Sequence, residues 1–271
     1  MNGKPAKEKI VAEHVSVEFE KDTKSFLAVD DVSLTIQEGE FVVIVGPSGC
    51  GKTTFMNTIA GLVRPVKGTV SMDGEEITGP SAERGVVFQQ FALFPWKTVY
   101  ENIEFGLKYR GIAREQRQEI VRKYVQMVKL DGFENSYPHE LSGGMKQRVA
   151  IARVYANRPQ VLLMDEPFGA LDAQTRTIMQ EDLSEMFVSE KRTVVFITHS
   201  VEEAIYLGDR VMIMTARPGK IKKTISISEE NLVPNRRQMG FDDVIATKEF
   251  LSLKAEIWSL IKAEILAKHI Y

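Results

Sequence analysis

Residues 10–19 (IVAEHVSVEF) and 32–36 (VSLTI) alternate apolar and polar positions, the period of a strand with one face buried and one in water. The run 41–46 (FVVIVG) does not alternate. Its unbroken apolar stretch, rich in β-branched residues, predicts a strand covered on both faces. A glycine-rich turn follows, then a helix-like stretch to about Ala60. Residues 68–74 (GTVSMDG) read as an edge hairpin and 85–88 (GVVF) as another strand.

The pattern changes over 98–157, where strand signals are few. Ile120, Val121, Tyr124, Val125 and Val128 fall on one helical stripe with charges opposite, so this stretch reads as an inserted helical subdomain. Strand signals return at 161–165 (VLLMD), 193–198 (TVVFIT) and 211–214, with a helical run at 173–187 between the first two. Buried strands separated by helices imply an α/β fold with a parallel core sheet and right-handed crossovers. Near the end, Phe250, Leu253, Ile257, Leu260, Ile261 and Ile265 recur at helical spacing, as expected of a helix packed on its own domain. The expected organisation is a core made of 1–97 and 158–225 with an N-terminal antiparallel β subdomain, the helical subdomain 98–157, and a C-terminal helical tail 226–271.

Composition narrows the function. Over 271 residues, 44% are hydrophobic and 27% charged, which excludes a disordered chain or a coiled coil. The formal charge is −2, so no global positive field draws in nucleic acid, and any bound anion must be held by a local site. A single cysteine fits a reducing compartment. The polar start lacks the apolar core of a signal peptide, and no apolar run approaches the ~20 residues of a membrane span. The expectation is a soluble chain, or one seated on a membrane through a partner.

The chemistry begins at GPSGCGKTT. Gly46, Gly51, Lys52 and Thr53 match the phosphate-loop pattern G-x-x-x-x-G-K-[ST], after a buried strand and before a helix. Glycines let successive amides curl toward one anion, and the helix N-terminus adds partial positive charge. The expected nucleotide contacts are Gly46, Pro47, Ser48, Gly49, Cys50, Gly51, Lys52, Thr53 and Thr54. Lys52 should reach the β- and γ-phosphates, and the Thr53 hydroxyl should ligate Mg2+. Alkylation of Cys50 would put bulk near the phosphates, so thiol reagents are expected to inhibit and ATP to protect.

Asp165 and Glu166 close the strand VLLMD, at the carboxyl edge where open α/β sheets gather ligands. Asp165 is placed to hold magnesium and Glu166 to polarise the attacking water. His199 follows TVVFIT at an equivalent strand end, where a γ-phosphate contact is expected. A second glycine turn, LSGGMKQRVAIAR, opens another helix: Ser142 suits an N-cap, and Gly143 and Gly144 offer amides to a second anion. The phosphate loop already serves the chain's own triphosphate, so the second site suits a partner chain's nucleotide.

The succession of phosphate loop, VFQQ, LSGGMKQR, VLLMDEP, GALD and ITH resembles the ATP-binding-cassette family, over about residues 10–225. The resemblance implies a P-loop NTPase fold and a head-to-tail homodimer with two ATPs between Gly46–Thr54 of one chain and Ser142–Gly144 of the other. It further implies that Gln89 touches magnesium and the water, that Asp172 couples the two sites, and that Phe19 stacks on adenine, with Phe26 a competing candidate. Met145 departs from the glutamine commonest after LSGG in the family, with little effect expected because this site works mainly through backbone.

FALFPW (91–96) places Phe91, Leu93, Phe94 and Trp96 just after Gln89, which suits local core packing or a groove for a partner's helix; the resemblance implies that this partner is a membrane permease. With LFPW, MTARPGKI (214–221) and EIWSLIKAE in the tail, the chain resembles ATPase subunits of nitrate, sulfonate and taurine import. The resemblance implies a peripheral protein at the cytoplasmic face of the inner membrane, served indirectly by an extracytoplasmic solute-binding protein, with no nucleic acid bound. A soluble cassette ATPase and a P-loop kinase are the alternatives. The first usually carries paired cassettes or long insertions, and the second has no use for LSGG.

Overall fold

The alternating segments near the start of the chain form two long strands, β1 (Glu8–Lys21) and β2 (Lys24–Gln37), paired antiparallel from Ile10↔Ile36 to Phe19↔Phe26. The computed structural model describes residues 7–21 and 24–268. Ile10 and Ala12 face the core, and so do Val15 and Val17, although their parity differs. A bulge between Ala12 and Val15 absorbs the slip, with His14 and Asp31 both in left-handed backbone conformation. The second strand starts eight residues earlier than the alternation alone indicated.

The chain continues through β3 (Phe41–Val45), α1 (Lys52–Ala60), the hairpin β4 (Lys67–Met72) and β5 (Glu75–Glu76), and β6 (Arg84–Val87). Helices α2 (Val99–Tyr109), α3 (Arg114–Met127) and α4 (Gly143–Ala156) lead to β7 (Val161–Asp165) and α5 (Ala173–Glu190). Then come β8 (Thr193–Thr198), α6 (Val201–Leu207), β9 (Arg210–Met214), β10 (Ile221–Ser226), α7 (Phe241–Ile245) and α8 (Lys248–Lys268).

These elements divide into two units, Met1–Ser81 with Lys191–Tyr271, and Ala82–Glu190. In the first, the antiparallel sheet runs β2-β1-β4-β5, with the 68–74 segment at its edge as the pattern predicted. β3 lies between β8 and β9 and pairs with both in parallel. All five of its residues are buried, as its unbroken apolar run requires. β10 adds antiparallel to β9. In the second unit β6 and β7 pair in parallel, Val87 beside Met164.

The helical part of the second unit begins at a capping box. Thr98 accepts from the Glu101 amide at 3.2 Å, and the Glu101 carboxylate accepts from the Thr98 amide at 2.9 Å. Val121, Tyr124, Val125 and Val128 are buried as the stripe predicted, while Ile120 is half-buried. The tail helix α8 packs on α6 and β9 of its own unit. It buries Phe250, Leu253, Ile257 and Ile261 and leaves Leu251 and Trp258 about half exposed.

Truncating the fully buried Phe250 to alanine should cost about 3–5 kcal/mol through the cavity left behind. Leu251→Ala, one position along on the exposed face, should stay within about 0.5 kcal/mol. Urea melts of the two variants measure the contrast.

Candidate active site

In the first unit β3 delivers the chain into residues 46–54. Helix α1 starts at Lys52 from a left-handed Gly51 (φ 102°), which has no side chain to cap it, so the first-turn amides face the loop. A Cβ at Gly51 would stand 2.5 Å from the Ala28 carbonyl oxygen, and one at Gly219 would stand 2.1 Å from that of Cys50. The loop is therefore backed at van der Waals distance by β2 and by the turn after β9. Lys52 is only 5% exposed. Its ammonium donates to the carbonyls of Gly46 at 3.0 Å and Pro47 at 3.1 Å, which draws the cation across the loop.

Strand register decides what else gathers there. Val45 lies beside Thr198 on one side and Ile213 on the other, so His199 leaves β8, and β9 ends at Met214, at the point where the loop begins. Thr198 Oγ1 donates to the buried Glu203 carboxylate and accepts from the Ser200 amide, fixing the backbone on both sides of His199. Phe19 and Phe26, the two aromatic candidates, prove to be cross-strand partners with ring centroids 5.7 Å apart.

Cys50 corrects one expectation. It is 2% exposed, and burial pushes its thiol pKa up despite Lys52 nearby. A reagent cannot reach this sulfur as freely as its place in the loop suggested.

In the second unit Asp165 is the last residue of β7 and buried, and Glu166 follows with φ 43°. A non-glycine residue in this region costs of order 1–3 kcal/mol, held here by the Gly169 amide donating to the Glu166 carbonyl at 3.1 Å. Gln89, two residues past β6, donates to the Glu166 carboxylate at 3.4 Å. The residue expected to touch magnesium and the water and the residue expected to polarise that water are thus in direct, if long, contact.

Ser142 caps α4 as predicted, accepting from the Met145 amide at 3.3 Å. A Cβ at Gly144 would stand 2.4 Å from the Thr175 methyl. Thr175 in turn donates its amide to Asp172 at 3.0 Å, and that bond is the main cause holding the Asp172 carboxyl below its ordinary pKa. The signature turn and Asp172 therefore share one neighbour, which sequence spacing did not reveal.

Among the described residues no cluster of three or more His, Cys, Asp or Glu side chains is arranged to hold a metal. The donor set proposed from sequence suits Mg2+ nonetheless. The Thr53 hydroxyl, the Gln89 amide oxygen and the buried Asp165 carboxylate are all hard oxygens, and Mg2+ normally takes only one or two carboxylates beside phosphate and water.

The aromatic segment after Gln89 is held by a residue that no motif flagged. Asn102, fully buried on α2, donates to the carbonyls of Phe94, Lys97 and Thr98 and accepts from the Phe94 amide. Beside it opens a groove of about 500 Å³ lined by Phe88, Phe94, Phe105, Tyr109 and Arg153, among others. Arg153 stacks over the Phe94 ring at 5.4 Å and donates to the Ala92 carbonyl. Of the four predicted contact residues, Phe94 lines this groove and Trp96 stands 70% exposed against the Phe94 ring. Phe91 and Leu93 are half-buried and form no part of its wall.

Residues 29–169 match the family model described as ABC transporter. The chain is 49% identical over 260 residues to an uncharacterised ABC transporter ATP-binding protein of Methanocaldococcus jannaschii, covering 96% of this chain and 94% of the relative. It is 45% identical to the nitrate import ATP-binding protein of a Synechocystis strain, covering 88% and 89%. Identity to the aliphatic sulfonates import ATP-binding protein of Bacillus cereus is 43%, covering 93% and 97%. Among solved structures, a dimeric ATP-binding cassette bound to ADP and Pi in a post-hydrolysis state matches with a TM-score of 0.72 at 33% identity, over 80% of this chain and 98% of that one.

Iodoacetamide at pH 8 should label native Cys50 at least tenfold more slowly than the urea-unfolded chain, because both burial and the raised pKa suppress the thiolate. Mass spectrometry of timed samples reads the two rates.

Proposed function

The chain belongs to the ABC transporter family, and from that premise we propose that it is the ATP-hydrolysing subunit of an importer for a small solute of the nitrate or sulfonate class. The observation that carries this reading is the coexistence of two helix N-termini built for anions. One is the loop 46–54 opening α1, and the other is the Ser142 turn opening α4. One nucleotide needs only the first. The second has a use when two copies stand head to tail, each offering Ser142–Gly144 to the other's ATP.

In that arrangement the loop 46–54 and the Lys52 ammonium hold the triphosphate, and Phe19 or Phe26 takes the base. Thr53, Gln89 and Asp165 would hold Mg2+, which would neutralise charge at the phosphates. Glu166 orients the attacking water and accepts its proton, with Gln89 holding that carboxylate in place. His199 donates to the γ-phosphate, and Asp172 links the two sites across the dimer. ATP closes the pair, and hydrolysis with release reopens it.

Among the described residues no helix is long and apolar enough to cross a membrane. The aromatic groove around Phe94, with Trp96 at its side, suits a cytoplasmic helix of a separate permease. The protein would then sit peripherally at the cytoplasmic face of the inner membrane, and the solute would be read by the permease and an extracytoplasmic binding protein.

Glu166→Gln should bind ATP normally and hydrolyse it about 10²–10⁴-fold more slowly, the usual loss when a general base is removed. The same variant should accumulate as an ATP-bound dimer on gel filtration. Near-normal turnover would reject Glu166 as the base. Ser142→Arg should keep monomeric ATP binding and abolish that dimer; normal ATP-driven dimerisation would end the sandwich reading. Reconstitution with the neighbouring permease and binding protein, assayed with nitrate and with alkanesulfonates, identifies the solute that stimulates hydrolysis.

A further inference from the structure

The turn after β9 carries a residue to which neither motif nor spacing assigned a role. Arg217 Nε donates to the Gly49 carbonyl at 2.7 Å, in the middle of the phosphate loop. The same guanidinium lies over the Phe26 ring, 5.4 Å from its centroid, and Phe26 packs against Phe19. One planar cation thus touches the loop that faces the phosphates and the aromatic pair that offers itself to the base.

The geometry explains how such a contact can position a ligand. Gly49 sits in left-handed conformation (φ 72°), which glycine adopts without steric cost. Anchoring its carbonyl fixes the peptide plane. In a trans peptide the N–H points the opposite way, and the Cys50 amide accordingly closes the turn onto the Pro47 carbonyl at 3.3 Å.

The turn bearing Arg217 is itself rigid. Thr215 Oγ1 donates to the Pro218 carbonyl and accepts from the Lys220 amide. The Gly219 amide donates to the Ala28 carbonyl, and the Gly219 carbonyl accepts from the Asp30 amide, each at 3.0 Å. From the other side Glu264 of α8 accepts from the Ala216 amide at 3.1 Å and pairs with Lys222 at 2.6 Å. Arg217 is presented by a brace held at both ends.

We propose that Arg217 is a positioning residue of the nucleotide site, setting the distance between the base-stacking aromatics and the phosphate loop through one guanidinium. The proposal rests on the reading of residues 46–54 as the ATP site. A planar fork is needed, because one edge must donate to Gly49 while one face stacks on Phe26. Lysine keeps the charge and can donate or sit over a ring, but it has no planar fork to do both at once.

The test compares wild type, Arg217→Ala and Arg217→Lys, with ATP and inorganic tripolyphosphate as probes. ATP carries both base and phosphates, whereas tripolyphosphate meets only the loop. Losing a charged hydrogen bond and a stacking contact should weaken ATP about 5–10-fold in both variants. Tripolyphosphate should weaken no more than about twofold, the KM for ATP should rise, and kcat should stay within about twofold. Phe26→Ala combined with Arg217→Ala should be scarcely worse than the more impaired single variant, because the two act as one unit.

Equal loss for ATP and tripolyphosphate would reduce Arg217 to a structural support of the loop and overturn the proposal. Rescue by lysine would reduce it to a charge, and unchanged affinity in both variants would remove any role; either result also overturns it. Failure of the wild-type chain to bind ATP at all is a different outcome, which defeats the reading of the site itself and this proposal with it.

Discussion

The two parallel ladders that hold β3 set nearly everything at the nucleotide end of the first unit. β3 is only five residues long and buried throughout, so its position comes from hydrogen bonds to β8 on one side and β9 on the other. Parallel pairing aligns strand ends that point the same way. Gly46 and His199 therefore leave the sheet together where β9 ends at Met214, although the three lie far apart in sequence. The loop's curl, the histidine beside it and the brace behind it all follow from that shared edge.

The same logic, on a smaller scale, shapes the second unit. β6 and β7 run parallel, so Gln89 and Glu166 emerge as neighbours and meet through a hydrogen bond. Glu166 also holds an unfavourable backbone conformation, the kind of local strain that persists where surrounding contacts over-determine a geometry. Electrostatics is handled locally in both units. With a net charge of −2 the chain has no general attraction for a polyanion. In the proposed reading, aimed amides and one buried lysine replace it, acting only over a few ångströms.

Much of this was legible in the sequence, and the exceptions share a cause. Residues 41–45, 161–165 and 193–198 could be read as buried strands because burial on both faces removes alternation, a property of each segment alone. The phosphate loop and the Ser142 cap were legible for the same reason, since a turn and a helix start write their requirements within a few residues. β10 escaped because its Lys222 and Lys223 face outward and are ion-paired to Glu264 and Glu256, so it shows neither a clean alternation nor an apolar run. Asn102 looks like any polar residue of a helix until its four bonds to the 94–98 turn are seen. Arg217 lies 168 positions from the carbonyl it holds, and no local pattern encodes a contact of that span. The bulge at His14 shows a milder case, in which the alternation of β1 is real but changes phase partway.

That long span has a consequence for synthesis. Ribosomes add about 5–20 residues per second, so the 168 positions separating Gly49 from Arg217 take roughly ten to thirty seconds to make. Until β8 and β9 emerge, the nascent β3 has both hydrogen-bonding edges bare and five apolar side chains without cover. Such a segment is a template for mispairing between neighbouring chains on one messenger. The architecture that makes the finished loop rigid thus makes its early existence exposed.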